Sequence, residues 1–193
     1  SWDSTNVADG IVSVVAPVGL DHTDMLGDTL AEIATEKAGI IKPGGYLISA
    51  AQDPEVATIL LDTARKQNAK YAFEGVEFGV VERDRAVGGQ FLTLRGLAGE
   101  YPDIELPLHG EHQGQNASLA LAAVEAFFGG DRALARDVVL AGFAQVRSPG
   151  RLEMIRSEPL LVLDAAHNPH GVRAASTAFK EAFELSHVHA VVG

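Results

Sequence analysis

Residues 11–18 form the most constraining stretch of the sequence, an uncharged run rich in β-branched side chains. Such a run predicts a strand covered on both faces, as the strands of parallel sheets are. Two further strands are predicted at 46–50 and 71–74, and helical patterns separate the three. This β-α-β-α-β alternation predicts an α/β sheet with right-handed crossovers.

The two separating helices have recognisable boundaries. The first carries its apolar stripe from Leu30 to Ala38 and ends at Gly39, before a Pro-Gly-Gly turn. The second begins at the pair Asp53-Pro54, a favourable N-cap followed by proline at the first helical position, and is expected to run to about residue 68.

The pattern changes over residues 76–108, where short strands are predicted at 76–82, 90–95 and 104–108 around a Gly-Gly turn. These strands indicate a small antiparallel patch. A helix is then expected to open at Asn116, with that residue on its buried side, and another to run from an Asp131 cap to about residue 144.

Residues 147–151, Arg-Ser-Pro-Gly-Arg, are the best candidate linker. Beyond them we expect strands at 152–156 and 160–164, a helix to about residue 184 and a strand at 188–192, the opening of a Rossmann-like unit. The predicted division is therefore a first region, residues 1–146, and a second region, residues 147–193.

Composition limits the function classes. The formal net charge of −11 argues against a nucleic-acid partner, so an anionic ligand would have to be bound by local cations, helix N-termini or metal. The absence of cysteine excludes disulfides and thiolate metal sites. No apolar run reaches membrane-spanning length and no signal peptide opens the chain, so we expect a cytoplasmic protein with no membrane partner.

Two candidate residues follow from the first strand and helix. His22 lies just beyond the first strand, where ligands of open α/β sheets collect, and is either a metal ligand or base, or an ordinary polar loop residue. Lys37 falls on the apolar stripe of its helix. It either extends its ammonium to the surface or, if buried, becomes a neutral amine able to form a carbamate with carbon dioxide.

Further candidates lie in three separate segments. Asn116 offers both a donor and an acceptor suited to an adenine edge, although its local chemistry alone favours a helix-capping or core role. Arg151 at the predicted domain junction suits phosphate. Asp164 and the following Ala-Ala-His-Asn-Pro lie between strand and helix, a position that suits a nucleotide or metal but also an Asx turn.

Taken together, these segments resemble the folylpolyglutamate synthase / dihydrofolate synthase branch of the Mur-ligase-like enzymes. The resemblance runs from residue 3 to about residue 175 in matching order and spacing. The stretches that carry it are Asp3-Ser4-Thr5-Asn6, Leu20-Asp21-His22-Thr23-Asp24-Met25-Leu26-Gly27, Ile33 to Ile40, His112-Gln113 with Asn116-Ala117, Pro149 to Glu153, and Asp164 to Pro169.

The resemblance implies an ATP- and Mg²⁺-dependent ligase of folate biosynthesis. It would phosphorylate a carboxylate of dihydropteroate or of a folate, and L-glutamate nitrogen would attack the acyl phosphate. By position, His22 would ligate magnesium and Lys37 would be the carbamylated lysine that supports a second metal. The remaining implied roles are adenine contact for Asn116, nucleotide contact for Arg151 and Asp164, and a place near the reacting groups for His167.

The chain also departs from the family pattern. It contains no G-x-x-x-x-G-K-[ST] phosphate loop and no Gly-Lys dipeptide, and Asp164-Ala165 replaces the more usual Asp-Gly. The implied fold is the latter part of a P-loop-type ATPase domain with an antiparallel patch, followed by the start of a Rossmann-like C-terminal domain. We expect residues 1–193 alone to be inactive, and the intact protein to be a monomer.

Three other functions stay open from the sequence. Another Mur-type ligase would share the chemistry but not the Leu-Asp-His and Glu-Lys-Ala-Gly sequence motifs. A non-catalytic remnant could bind nucleotide without turnover. A histidine-based metal hydrolase would need ligands gathered around open metal positions, whereas the motifs here are spread over two units.

Overall fold

The computed structural model describes residues 4–19, 29–183 and 187–192. It has the mixed α/β fold that the alternation predicts. Strands β1 (Val12–Val15), β2 (Tyr46–Ser49) and β3 (Lys70–Phe73) pair in parallel in the order β1-β2-β3. A short 3₁₀ turn, Ser4–Val7, precedes β1. Helices α1 (Leu30–Ala38) and α2 (Pro54–Lys66) form the two crossovers.

Each crossover helix follows a residue whose side chain accepts a hydrogen bond from a backbone N–H of the first helical turn. Thr29 and Glu32 form a reciprocal capping box at the start of α1. At α2, the Asp53 carboxylate accepts from the backbone N–H of Glu55, and Pro54 occupies the first turn, as expected. The two helices bury one face of the parallel sheet in a cluster that includes Leu47 and Leu60, both fully buried.

A separate three-stranded antiparallel sheet confirms the predicted patch. Its strands are β4 (Gly79–Ala86), β5 (Gly89–Arg95) and β6 (Glu100–Leu106). β4 begins later than predicted because residues 74–78 form a turn, in which the Gly75 N–H donates to the Phe78 carbonyl. It also runs further, to Ala86, because the charged residues from Glu82 to Arg85 pair with β5.

Helix α3 (Glu111–Phe127) lies between the two sheets and contacts β1 and β2 on one side and β4 and β5 on the other. Ala122 packs toward the parallel sheet, while Ala117 and Leu121 pack toward the antiparallel sheet. The predicted start at Asn116 is wrong, because the helix begins five residues earlier. Asn116 lies in the second turn and is exposed, so its predicted place on the buried side is wrong too.

Helix α4 (Arg136–Ala144) contacts β6 and contributes Val139 to the antiparallel core. Its N-cap is Ala135, which makes no side-chain cap hydrogen bond, so the predicted Asp131 cap is wrong. Residues 131–135 instead cross the sheet end in an irregular segment, whose Leu134 N–H donates to the Tyr101 hydroxyl.

The second region contains an antiparallel hairpin and one helix within its described part. Strands β7 (Glu153–Ser157) and β8 (Leu160–Leu163) pair with each other, and α5 (Pro169–Ala182) follows. The predicted strand at 188–192 is wrong: these residues form no regular structure. Val191 and Val192 are more than nine-tenths exposed, and a strand requires a paired neighbour. The Rossmann-like character of this region and the division at 146/147 stay predictions.

Within the described ranges, every helix is too short or too polar to cross a membrane.

Candidate functional site

The 3₁₀ turn near the start of the chain is fastened to the end of α1. The Asn6 amide donates to the Glu36 carbonyl over 2.8 Å, and the Lys42 ammonium donates to the Asn6 carbonyl over 2.7 Å. Gly39 allows this approach, because a Cβ there would lie 2.6 Å from the Asn6 amide nitrogen. Two stretches that are 30 residues apart, Ser-Thr-Asn and Glu-Lys-Ala-Gly, therefore form one substructure.

Lys37 lies in the last turn of α1, beside this junction, and its side chain is half-buried. The neighbouring helix positions Ala34 and Ala38 are fully within the core, so the lysine stem lies at the core boundary. This position is compatible with either of the two roles open from the sequence. The carbamylation of Lys37 remains a prediction.

The predicted magnesium ligand His22 lies outside the described residues. Among residues 4–19, 29–183 and 187–192, no three or more His, Asp or Glu side chains gather closely enough to hold a metal ion. The described residues thus do not by themselves make a magnesium site. A complete set of ligands would require groups from outside them.

The Pro-Gly-Arg-Leu-Glu and Asp-Ala-Ala-His-Asn-Pro stretches also form one substructure. The Asp164 carboxylate accepts from the Leu152 N–H over 2.9 Å and from the Ala166 N–H over 2.8 Å. The Ala165 N–H donates to the Gly150 carbonyl over 2.7 Å. Gly150 and Leu152 both have positive φ, 70° and 45°, so the turn is tight. Positive φ is unfavourable for a leucine, and the hydrogen bond from the Leu152 N–H to Asp164 holds that residue in place.

These paired loops, residues 147–152 and 164–168, bring three predicted site residues to one edge of the second region. The side chains of Arg151, Asp164 and His167 are all exposed there. The His167 ring nitrogen Nδ1 lies 3.2 Å from the Ala165 carbonyl. Asn168 caps α5 by accepting from the Gly171 N–H over 2.7 Å, so the helix N-terminus opens beside the loops. Such an edge suits an anion.

Asn116 belongs to the first region and lies on an exposed stripe of α3 that also includes Ala120, Val124 and Phe127. Its amide donates to the Gln113 side-chain oxygen over 3.2 Å. The stripe lies on the helix that contacts the outer strand β1, whose Val14 is 42% exposed. A polar amide that leads an apolar exposed stripe is a surface suited to a flat aromatic ligand or to further protein.

An open cavity of about 610 Å³ lies where the carboxyl end of the parallel sheet meets β4 and the start of α3. Its charged and polar lining includes Glu74, Glu111, Gln115 and Arg95. The Glu74 carboxylate accepts from the Ala51 N–H and from a serine hydroxyl of α3, which fixes it within the fold. The described predicted site residues do not line this cavity.

The sequence reasoning missed a buried carboxylate network. Glu125 is fully buried on α3, and it accepts from the Leu97 N–H and, over 2.7 Å, from the Tyr101 hydroxyl. Burial, reinforced by the Glu125 hydrogen bond, raises the pKa of Tyr101 to about 12. A Glu on an otherwise apolar helix stripe, next to Ala122 and Ala126, was the available signal.

The second region belongs to a recognised class of domain. The family model for the Mur ligase glutamate ligase domain matches residues 150–193. That span includes the β7–β8 hairpin, α5, the loop 164–168 and residues 150–152 of the first loop, and therefore Arg151.

Curated relatives extend the match over nearly the whole chain. The dihydrofolate synthase/folylpolyglutamate synthase of Mycobacterium tuberculosis is 50% identical over 192 residues, covering 95% of this chain and 39% of the relative. The Bacillus subtilis protein of the same name is 33% identical over 98% of this chain and 44% of its own length. The chain thus spans less than half the length of these relatives.

Solved structures agree with this match. The Mycobacterium tuberculosis folylpolyglutamate synthase complexed with ADP and AMPPCP superposes with a TM-score of 0.89, covering 95% of this chain and 42% of that one. An FPGS–AMPPCP–folate complex, 33% identical, gives the same TM-score over 95% of this chain and 45% of its own. By sequence and by fold, the chain belongs to the folylpolyglutamate synthase / dihydrofolate synthase family of Mur-ligase-like proteins.

Proposed function

We propose that this chain is part of an ATP-dependent ligase that joins L-glutamate to dihydropteroate, to a folate polyglutamate, or to both. The substrate carboxylate is first phosphorylated by ATP, and the glutamate nitrogen then displaces phosphate to form the amide. The observation that carries this proposal is the 50% identity over 95% of the chain to a protein of that name. Its structural neighbours with ADP, AMPPCP and folate support the same substrate classes.

The paired loops of the second region would bind the nucleotide. Arg151 is exposed and offers a guanidinium to phosphate, while the second lone pairs of the Asp164 oxygens remain available beyond their two backbone hydrogen bonds. His167, at the start of α5, would lie near the reacting groups. The adjacent helix N-terminus would favour the negative charge that develops there.

In the first region, Asn116 would meet the adenine edge. Its exposed stripe and the open edge of β1 support a further proposal, that residues 1–146 are the latter part of an ATPase domain whose P-loop segment covers this face. Magnesium would neutralise phosphate charge during transfer. Lys37, as a carbamate, would offer oxygen atoms of the kind that Mg²⁺ prefers. We propose that the complete protein is a cytoplasmic monomer.

The direct test is ADP formation by the protein that carries this chain, measured with and without folate or dihydropteroate and with and without glutamate. We expect ADP only when both co-substrates are present. ADP release that ignores glutamate would refute ligation and favour the nucleotide-binding remnant. Residues 1–193 alone are expected to give none, because phosphoryl transfer depends on the donors that a phosphate loop supplies.

The role of Arg151 is tested by Arg151→Ala beside Arg156→Ala, a second exposed arginine, on the β7–β8 hairpin. Loss of a charge-assisted contact worth ~1.5–3 kcal/mol should reduce kcat/KM for ATP about 10- to 150-fold in the first variant. The second variant should match the wild type. Equal kinetics in both variants would leave Arg151 a structural residue of the turn.

The role of Lys37 is tested by Lys37→Ala beside Lys66→Ala, since each lysine lies in the last turn of its helix and Lys66 is exposed. Only Lys37→Ala should lose activity, and short added carboxylates should restore part of it by replacing the carbamate oxygens. A high-resolution map of the wild type should show the adduct. Full activity of Lys37→Ala would make Lys37 an ordinary helix lysine.

A further inference from the structure

Helix α5 of the second region is held against the loop that leads into α3. Ala178, only 2% exposed, packs on Gly110, where a Cβ would lie 2.6 Å from the Ala178 methyl carbon. The His109 and Phe183 rings are 5.4 Å apart between centroids. Both contacts involve the C-terminal half of α5 or the residue just beyond it, so that half is fixed to the first region.

An ion pair between β4 and α5 accompanies this apolar packing. The Arg83 guanidinium of β4 lies 3.0 Å from the Glu181 carboxylate of α5, and the two side chains are only 21% and 31% exposed. Arg85 on the same strand donates to the Glu181 backbone carbonyl over 3.3 Å. Two cations thus face the C-terminal end of α5, where cations are favourable.

The Arg83 side chain is oriented by Gln90, a neighbouring residue of the antiparallel sheet. Gln90 is 1% exposed, and its side-chain oxygen accepts from the Arg83 Nε over 2.6 Å. The Gln90 amide nitrogen donates to the Leu108 and Gly110 carbonyls over 2.9 and 3.0 Å. Because the amide is held by two backbone carbonyls, it fixes the plane of the guanidinium, whose outer nitrogen then points to Glu181.

The two ends of this connection are the two halves of the candidate site. Gly110 is the residue immediately before α3, which carries Asn116 in its second turn. The other end of α5 starts at Asn168, directly after the loop with Asp164 and His167. A 14-residue helix is about 21 Å long, so a small rotation about its fixed half moves the loops at its start by much more.

We propose that the Arg83–Glu181 ion pair, oriented by Gln90, is a positioning device that sets the loops 147–152 and 164–168 relative to the start of α3. The competing interpretation is an incidental surface ion pair, which would contribute little to stability or to the position of α5. The structural part of the proposal rests on the contacts alone. Its consequence for turnover rests on the proposed ligase function.

The structural part is tested by distance measurements between two spin labels. The chain contains no cysteine, so Glu105→Cys on β6 and Ser176→Cys on α5, both exposed, give a uniquely labelled pair. Arg83→Met or Glu181→Gln should widen the distance distribution about twofold by freeing α5 locally. The double variant should be no wider than the wider single variant, because the residues act as a pair.

Arg136→Met is the matched control, since Arg136 forms a 2.8 Å ion pair with Asp103 that lies within the first region and is 54% and 80% exposed. It should leave the distribution unchanged. Unchanged distributions in Arg83→Met and Glu181→Gln, or widths that simply add in the double variant, would overturn the proposal.

Turnover distinguishes this proposal from the proposed function. In a ligase-active protein that carries this chain, Arg83→Met should lower kcat about tenfold or more through misplacement of reacting groups, while the unfolding midpoint and the Arg136→Met activity stay at wild-type values. Activity in Arg83→Met equal to the wild type would remove the catalytic consequence. If the unmodified protein shows no glutamate-dependent ADP formation, the proposed function fails while the label distances still decide the positioning role.

Discussion

The two regions of the molecule differ in how they are stabilised. The first region buries three apolar clusters on the faces of its two sheets, with Leu47, Leu94 and Ile104 completely buried. In the described part of the second region, only Leu152 and Ala178 are buried apolar residues, and one of these is buried against the first region. The second region is therefore ordered by backbone hydrogen bonds, turns and docking more than by a core of its own.

This difference bears on function, because the second region carries Arg151, Asp164 and His167. Elements with few buried contacts open locally at low free energy. Because these three residues lie on such an element, the contacts of α5 with the first region, rather than a core of the second region, would hold the loops in place. The rigid core of the first region would then act as the fixed half of the site.

Truncation of a buried side chain should give the largest difference between the two regions in the free energy of unfolding. Leu94→Ala in β5, at a fully buried position, should lower the free energy of unfolding by ~2–5 kcal/mol through lost burial and a cavity. Ile155→Ala in β7, at a position 49% exposed, should stay within ~0.5 kcal/mol. Urea unfolding of both variants checks this. A loss in Ile155→Ala as large as that in Leu94→Ala would contradict the small number of buried apolar residues in the described part of the second region.

The buried carboxylate should give the next contrast. Tyr101→Phe removes the hydroxyl that donates to Glu125 and accepts from Leu134, so it should cost ~1–3 kcal/mol. Tyr71→Phe, at a partly exposed tyrosine, is the control and should cost little.

The same hydroxyl predicts a pH dependence. Because the folded pKa of Tyr101 is raised to about 12, the neutral phenol is favoured in the fold, and its contribution is complete below pH 10 and lost as pH rises through about 12. Chemical unfolding between pH 9 and pH 12 should show this loss in the wild type and not in Tyr101→Phe. Parallel pH curves for the two proteins would contradict it.

Helix capping should give the smallest contrast. Asp53→Ala and Asn168→Ala each remove an N-cap that precedes proline, with an expected cost of ~0.5–2 kcal/mol. In the first case the loss should appear in global unfolding, because α2 belongs to the core. In the second it should appear as faster amide exchange confined to α5. Equal global losses would contradict the difference between the regions.

Much of the fold was predictable because local signals and tertiary contacts agree. The β-branched run of β1 and the Asp53-Pro54 cap each specify their element by local chemistry. The prediction failed at the start of α3, because His112 and Gln113 precede the first apolar position and Gly110, without a side-chain cap, gives no start signal. It failed at 188–192 because strand formation depends on a partner, which local sequence does not reveal.

The site predictions likewise depended on signals that are local in sequence and missed features that depend on contacts between elements. The family-like stretches marked the candidate segments but not which of them would join, whereas the structure pairs Asn6 with the end of α1 and Asp164 with the Gly150 turn. Sequence spacing could not show that Glu125 is buried with Tyr101, or that Gln90 orients Arg83. Those contacts join residues from different elements, and neither residue type signals its partner.

The most direct test is amide hydrogen exchange of the protein that carries this chain, with and without magnesium and AMPPCP. A shared nucleotide site predicts slower exchange in residues 111–118 of the first region together with residues 150–152 and 164–168 of the second, while α2 is unchanged. Protection confined to one region, or protection of none of these segments at saturating nucleotide, would contradict a site built from both.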